Sequence, residues 1–387
     1  MKGLRSVTFI DPFAEGHHIY YASLLASGLV ERGFRVYAVG CGGFVSGMKE
    51  ACPVSGSEVV ECPRAADVTE REKRRFLKGA LLAARGFNAD YIHLQQLDRF
   101  IFALFMLEPF SDLSGMLGTL HWAAILDEFA PDNLNRLKIR AERMVLRRLV
   151  KRGFRVMAHS MKFTAILNAI TSSDSAGYVP YPADFPALTE GEKAGKRKGL
   201  RAQLGIPPEA TVLLSFGATR FEKGADIAVR ALKDLPDDVY LLVAGIGEHF
   251  TKEALSALGE KHGVGSRLRL CMDYIPEERV VEYFAASDIV VAPYRRVFAG
   301  QCGPITIAAS MGIPVVGPDS MIIKETVDKY SLGKTFPAGD AAAFAGAVRG
   351  LMKRPCRPRT GAFKRDHDKK AFCDAVANNN VRSLKTK

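Results

Sequence analysis

Residues Thr211 to Gly224, TVLLSFGATRFEKG, constrain the fold more than any other stretch. Thr211 to Phe216 is an apolar, β-branched run that reads as a buried strand. Gly217 and Ala218 open a turn, Arg220 and Lys223 set two cations three residues apart, and Gly224 leads into the helical pattern ADIAVRALKD. A strand feeding a helix through a short glycine turn leaves backbone N–H groups and the positive end of the helix dipole at the strand's carboxyl end. Two cations beside them suit a diphosphate, so the stretch reads as a pocket for an activated, phosphate-bearing ligand. The same residues read equally as an ordinary strand–helix turn with two solvated cations.

The strand–helix theme recurs along the 387 residues. In the first part strands are expected at 6–10, 35–39, 58–62, 90–94, 116–120, 155–158 and 177–179, with a Gly-rich turn at Gly40, Gly42 and Gly43. In the second they are expected at 211–216, 239–244, 268–271, 289–292 and 314–317. Strands alternating with longer helices imply parallel sheets covered on both faces. The expected fold is therefore α/β, with two doubly wound Rossmann-like domains facing each other across a cleft. Domain one covers 1–182, a proline-punctuated and charged linker or exposed helix 183–208, and domain two 209–352. A basic tail, 353–387, either stays disordered or packs back on the first domain, and the pattern HDKKAFCDAVANN favours order.

Charge locates the tail more than a partner. Of the net charge of +12, most sits in residues 353–387, which hold 11 Lys/Arg against 3 Asp/Glu. No nucleic-acid-binding motif accompanies it, so no nucleic-acid partner is expected. The seven cysteines, at 41, 52, 62, 271, 302, 356 and 373, contain no C-x-x-C, which suits a reducing cytoplasm and argues against a disulfide framework or a zinc site; no metal site is expected. The opening MKGLRSVTFIDPF reads directly as a first strand rather than as a signal peptide, and the longest apolar run, 100–107, is too short to span a bilayer.

In open parallel sheets ligands bind beyond the carboxyl ends of the strands, which selects further residues. Gly16 and His17 lie in the turn after the first strand, where a glycine lets backbone approach a ligand. An exposed turn with solvated histidines explains them equally. His121 follows the strand run MLGTL and is placed to hydrogen-bond or exchange protons near neutral pH, unless it is only structural. Gly245 and Gly247 form a weak G-x-G at another strand end, and Gly300, Gln301, Cys302 and Gly303 precede the helix ITIAASMG as an anion-binding type of turn. The chain has no G-x-x-x-x-G-K-[ST], which excludes a P-loop.

FGATRFEKGADIAVRAL, VYLLVAGIGE, RLRLCMDYIPEERVVEYFAASDIVVAPYR and AASMGIPVVGPD, in that order, resemble the donor-binding domain of GT-B glycosyltransferases of family 4 over roughly residues 200–352. The first domain resembles the family more loosely, through the GHH turn and the histidine of TLHW. The resemblance implies transfer of a sugar from a nucleotide donor, retaining and metal-independent, with no cofactor. It also implies that Arg220 and Lys223 hold the donor diphosphate, that Gly16 approaches it, and that His121 contacts the sugar. Backbone around Tyr274 and Ile275 would contact the base. A departing nucleoside diphosphate develops negative charge, and without a metal the fixed cations must carry that load. Two departures stand out. The family's E-x7-E glutamates fall at Ala299 and Ile307, with Ala299-Gly300 nearest to a subgroup that has Ser-Gly, and the usual Gly-Arg is Gly217-Ala218 with the arginine at 220.

The acceptor is expected to be a glycan or a lipid-linked sugar, in bacterial polysaccharide biosynthesis. Residues 133–153 carry eight Lys/Arg and one acid above an apolar stripe, which suits either docking on an anionic membrane or a solvated helix on the sheet. A different two-domain activity, such as sugar-nucleotide epimerisation, and a non-catalytic nucleotide- or glycan-binding homologue remain alternatives, the latter because both glutamates are absent.

Overall fold

Strands of a parallel sheet with helices on both faces must be apolar on both, and the first strand, SVTFID, is buried at all six positions. The computed structural model describes residues 5–14, 17–61, 69–109, 111–129, 132–183, 185 and 188–382. The chain divides into two units, Met1–Pro182 with Asp366–Lys387, and Ala183–Arg365.

The first unit runs β1 (Ser6–Asp11), α1 (His17–Val30), β2 (Arg35–Gly40), α2 (Gly42–Ala51), β3 (Gly56–Val59), α3 (Glu70–Gly86) and β4 (Tyr91–Leu94). It continues with α4 (Leu97–Leu107), β5 (Met116–Leu120), α5 (Asn133–Lys151), β6 (Arg155–Ala158), α6 (Met161–Thr171) and β7 (Ala176–Tyr178). Its seven strands form one parallel sheet in the order β3-β2-β1-β4-β5-β6-β7. The order reverses beside β1, which places a topological switch point there.

The second unit opens with α7 (Glu190–Gln203), then β8 (Thr211–Phe216), α8 (Ala225–Ala231), β9 (Val239–Ala244), α9 (Lys252–Lys261), β10 (Leu268–Cys271) and α10 (Glu277–Ala286). It goes on through β11 (Ile289–Val291), α11 (Gly303–Met311), β12 (Val315–Pro318), α12 (Met321–Lys329), β13 (Gly333–Phe336) and α13 (Ala341–Lys353). Its sheet is six-stranded and parallel, ordered β10-β9-β8-β11-β12-β13, so its switch point lies beside β8. Then α14 (Thr360–His367) leads the chain back to the first unit, which α15 (Lys369–Arg382) completes. Both sheets are doubly wound α/β, as the sequence pattern implies.

Three local differences have physical causes. The third strand lies at 56–59 rather than 58–62, because pairing with β2 sets its register at the sheet edge, where Val59 stays exposed; residue 62 is outside the described residues. The Gly-rich turn after β2 is the start of α2, whose Cys41 cap accepts the Phe44 N–H at 3.4 Å. Burial of Phe44, Val45 and Met48 overrides the weak helix propensity of its glycines. The strand GKTF (β13) carries no long apolar signal and was not expected, yet it pairs in register with β12.

Within segment 183–208, α7 opens on a capping box between Thr189 and Glu192 and packs on α10. Its buried Arg201 donates to the carbonyls of Ala286, Pro208 and Ala210 at 3.0, 2.8 and 2.8 Å and to Asp288 at 2.7 Å. In the first unit, Phe372, Cys373 and Val376 of α15 enter the same apolar core as Tyr21 and Leu25 of α1. Around them Arg32 pairs with Asp374 and Lys369 with Glu31, each at 2.6 Å, and His367 donates to the Tyr181 carbonyl at 2.8 Å.

Candidate functional site

Because the strands of the second unit are parallel, the loops after β10, β9, β8 and β11 leave from one edge of the sheet. The loop after β8 carries the two cations. Gly217 has φ +106°, a conformation that other residues resist. A Cβ there would sit 2.6 Å from Lys223 Nζ, so the ammonium lies directly over a backbone left bare. Gly245, at the end of β9, is packed against the Gly217 backbone. Phe221–Lys223 is one short 3-10 turn, and Gly224, at φ +63°, ends it; a Cβ on Gly224 would collide with the Pro293 carbonyl oxygen. Thr219 ties the turn to the loop after β9, its hydroxyl donating to the Phe250 carbonyl at 2.7 Å and accepting the Glu248 N–H at 3.1 Å.

Burial first, and then the Arg220 guanidinium, hold the Lys223 ammonium below the usual lysine range. Arg220 Nε pairs with Glu222 Oε1 at 3.0 Å. Among the described residues no carboxylate lies within ion-pair reach of Lys223 Nζ, whereas most other sequestered cations of this unit have one; Arg201 and Arg295 are examples. A half-buried cation over bare backbone, next to a second cation, has the chemistry that suits a polyanion.

The loop after β11 brings in Gly300, Gln301, Cys302 and Gly303. Cys302 caps α11, and that helix has no acid in its first turn to neutralise its dipole. The Cys302 thiol lies 3.2 Å from the Tyr294 hydroxyl, and burial pushes the ionisation of both groups up, so both stay protonated. The nearby Lys223 charge opposes that rise at the Cys302 thiol, so the β8 turn and the start of α11 lie near one another. Positions 299 and 307 hold apolar residues only 2% and 7% exposed, Ala299 and Ile307. Tyr274 and Ile275 leave from the same sheet edge after β10, with the Tyr274 ring exposed.

In the first unit, His121 stands just past β5. Its Nε2–H donates to the Gln95 carbonyl at 2.8 Å, and its backbone N–H donates to Asp98 Oδ2 at 2.9 Å; Trp122 N–H donates to Asp98 Oδ1 at 3.1 Å. Burial pushes the Asp98 carboxyl up to about 7. The His121 ring meets His159 at 5.1 Å and Tyr21 at 5.2 Å, and Tyr181 closes on His159 at 5.2 Å. Deeper in the sheet, His93 accepts from the Gln95 amide at 3.2 Å and donates to Thr119 at 2.9 Å; burial lowers its pKa to about 3, so it is neutral. At the end of β1, buried Asp11 accepts from Phe13 N–H at 2.9 Å and from His18 Nδ1 at 3.0 Å. Gly16 lies outside the described residues, as does the side chain of His17.

Sequence reasoning missed Tyr21, Asp98, His159 and the Asp11–His18 pair. His159 was legible: it follows the strand RVMA as His121 follows MLGTL. Asp98 and Tyr21 carry no such signal, since only folding brings them to those neighbours.

Residues 210–354 match the family model Glycosyl transferases group 1. The matched stretch lies within the second unit. Similar proteins include a D-inositol 3-phosphate glycosyltransferase of Xylanimonas cellulosilytica, 30% identical over 142 residues, which are 34% of this chain and 32% of that protein. Another, from a Mycobacterium species, is 34% identical over 160 residues, 39% of this chain and 35% of that protein. The matches thus span about a third of these curated relatives' length. In fold, the chain resembles sucrose-phosphate synthase from Thermosynechococcus elongatus, with a TM-score of 0.74 at 16% identity, covering 99% of this chain and 100% of that one. It also resembles Anabaena HepE, solved in complex with UDP, with a TM-score of 0.71 at 16% identity over 99% and 100% of the two chains. The matched stretch covers the whole run from β8 to α13, including Gly217, Arg220, Lys223, Gly245, Tyr274, Ile275 and Gly300 to Gly303.

Proposed function

We propose that this chain is a glycosyltransferase that moves a sugar from a nucleoside diphosphate sugar to an acceptor hydroxyl, with retention at the anomeric carbon and without a metal ion or other cofactor. The observation that carries the reading is the Lys223 ammonium, half-buried over Gly217 beside Arg220, within the stretch that matches the glycosyltransferase family model. In this reading Arg220 and Lys223 bind the diphosphate and stabilise the charge it gains as the anomeric C–O bond breaks. Gly217, Gly245 and the backbone of Gly300 to Gly303, with Gln301 and Cys302, shape the phosphate-facing turns. Tyr274 and Ile275 flank the base, His121 contacts the sugar, and Gly16 and His17 lie by the donor. A UDP- or GDP-sugar is the expected donor, and the complexes of Anabaena HepE with UDP and with UDP-glucose support a uridine nucleotide first.

The acceptor in this reading is a glycan or a lipid-linked sugar reached from the cytoplasmic side. In support, α5 exposes Leu134 and Leu137 at 76% and 61% amid its basic residues, a combination suited to an anionic membrane surface. Among the described residues no helix is long and apolar enough to cross a membrane. Calorimetry with UDP, GDP and ADP tests the donor site, and nuclear magnetic resonance of the product tests retention. A product of inverted configuration would overturn the stereochemical part; no binding of any of the three nucleotides would overturn the whole.

A second reading, a non-catalytic nucleotide- or glycan-binding protein, is favoured by the buried, apolar Ala299 and Ile307 where the resemblance calls for carboxylates. Nucleotide binding without donor turnover, across a panel of glycan and lipid-linked acceptors, would select it.

A further inference from the structure

The turn that carries Arg220 and Lys223 is gripped from the β11 side by one residue, Arg295. Its Nη2 lies 2.9 and 2.8 Å from the two carboxylate oxygens of Asp226, in the first turn of α8. Its Nη1 donates to the Phe221 carbonyl at 2.5 Å, and its backbone N–H donates to the Glu222 carbonyl at 2.8 Å. Its guanidinium also lies over the Phe221 ring, 4.1 Å from the centroid. Four contacts therefore converge on residues 221, 222 and 226, which bracket Lys223. The Phe221 carbonyl is also the acceptor for Gly224 N–H, so Arg295 bonds the very atom that closes the turn.

We infer that Arg295, held by Asp226, is a positioning residue that fixes where Arg220 and Lys223 present their charges, and so sets affinity for a nucleoside diphosphate. This rests on the reading of the turn as the diphosphate site. Arginine suits the task because its planar fork reaches carbonyl and carboxylate at once while its face stacks on a ring; a lysine ammonium reaches one of these. Asp226 is itself buried and also holds Arg230 at 2.5 Å, which anchors the clamp to α8. The distance from Arg295 to Asp226 along the chain, 69 residues, explains why the pair leaves no mark in the sequence pattern.

The test is calorimetry on the full chain with whichever of UDP, GDP and ADP it binds, and with the matching nucleoside, which lacks phosphates. R295M and D226N should each raise the diphosphate Kd about tenfold or more, as a slight misplacement of binding groups does, and leave the nucleoside Kd unchanged. R295K should behave as R295M, although it keeps the charge. Equal losses for nucleotide and nucleoside would mean general damage and would overturn the proposal, as would wild-type diphosphate affinity in R295M. If R295M weakens binding while D226N does not, Arg295 acts on the ligand directly and positioning is refuted. Should R295M fail to fold, R295K and D226N decide the matter alone. If K223M and R220M both bind the diphosphate as the wild type does, it is the diphosphate site that fails; if they lose it and the clamp variants do not, only the clamp fails.

Discussion

Replacing Lys223 with methionine separates binding from stability, because the two should move in opposite directions. Methionine keeps the length and flexibility of the side chain and removes its charge. A phosphate oxygen about 4 Å from an ammonium is worth about 4 kcal/mol at an effective dielectric near 20, and a hydrogen bond to a charged group nets about 1.5–3 kcal/mol. A loss of about 2 kcal/mol corresponds to a nucleoside diphosphate Kd weaker by about 30-fold. The unliganded protein should gain stability instead. The ammonium is half-buried, lies near the Arg220 charge and has no ion-pair partner among the described residues, so its removal relieves a cost of about 0.5–1 kcal/mol. The pH dependence has a definite sign. With its pKa held below 10.5, Lys223 gives up its proton more readily in the native state than in the unfolded chain. Its contribution to stability therefore rises as pH climbs through the depressed value towards 10.5, while diphosphate affinity falls over the same range. Urea denaturation and calorimetry from neutral to alkaline pH read both. Unchanged affinity in the variant, or a loss of apo stability, would refute the reasoning.

Three further perturbations probe the first unit. His121→Asn should slow glycosyl transfer while leaving nucleoside diphosphate affinity near wild type; wild-type turnover with saturating donor would remove His121 from the mechanism. Asp98→Asn should cost stability by a pH-dependent amount, since the raised carboxyl stabilises the native state below about pH 4 and loses that contribution as pH rises through about 7. A difference between variant and wild type that stays constant from pH 4 to pH 8 would contradict this. Phe372→Ala should destabilise the first unit by about 3–5 kcal/mol, read by denaturant with the fluorescence of Trp122, the chain's single tryptophan. A cost below about 1 kcal/mol would mean that α15 is not a structural part of that core.

How much of this was legible in the sequence depended on whether the signal was local. The run TVLLSF followed by glycine gave β8 and its turn at once, because a buried parallel strand is apolar on both faces. Strands β5, β6 and β9 were legible to the residue for the same reason, and β10 was legible too, although it lies at the sheet edge with only Leu268 buried. GKTF was not, since its strand character comes from pairing with β12 rather than from composition. Helix α2 hid behind Gly42 and Gly43, which read as a turn until the burial of Phe44 and Met48 is known. At the site, Arg220 and Lys223 were legible as a pair of cations on a strand–helix turn. That Lys223 lies over Gly217 was not, nor was the grip of Arg295 on Asp226, because such contacts depend on which loops fold together.

The first unit is made of two separated pieces of chain, with the whole of the second unit between them. Synthesis on the ribosome delivers 183–365 as one uninterrupted length, free to fold as soon as it emerges, while the earlier piece still lacks Phe372, Cys373 and Val376. The usual order, amino-terminal domain first, is thereby disturbed: Tyr21 and Leu25 must wait in a half-finished interior until the last helix is made. During that interval the nascent protein presents an apolar seam along α1, which is the stretch where a chaperone would act and where premature termination would do most harm.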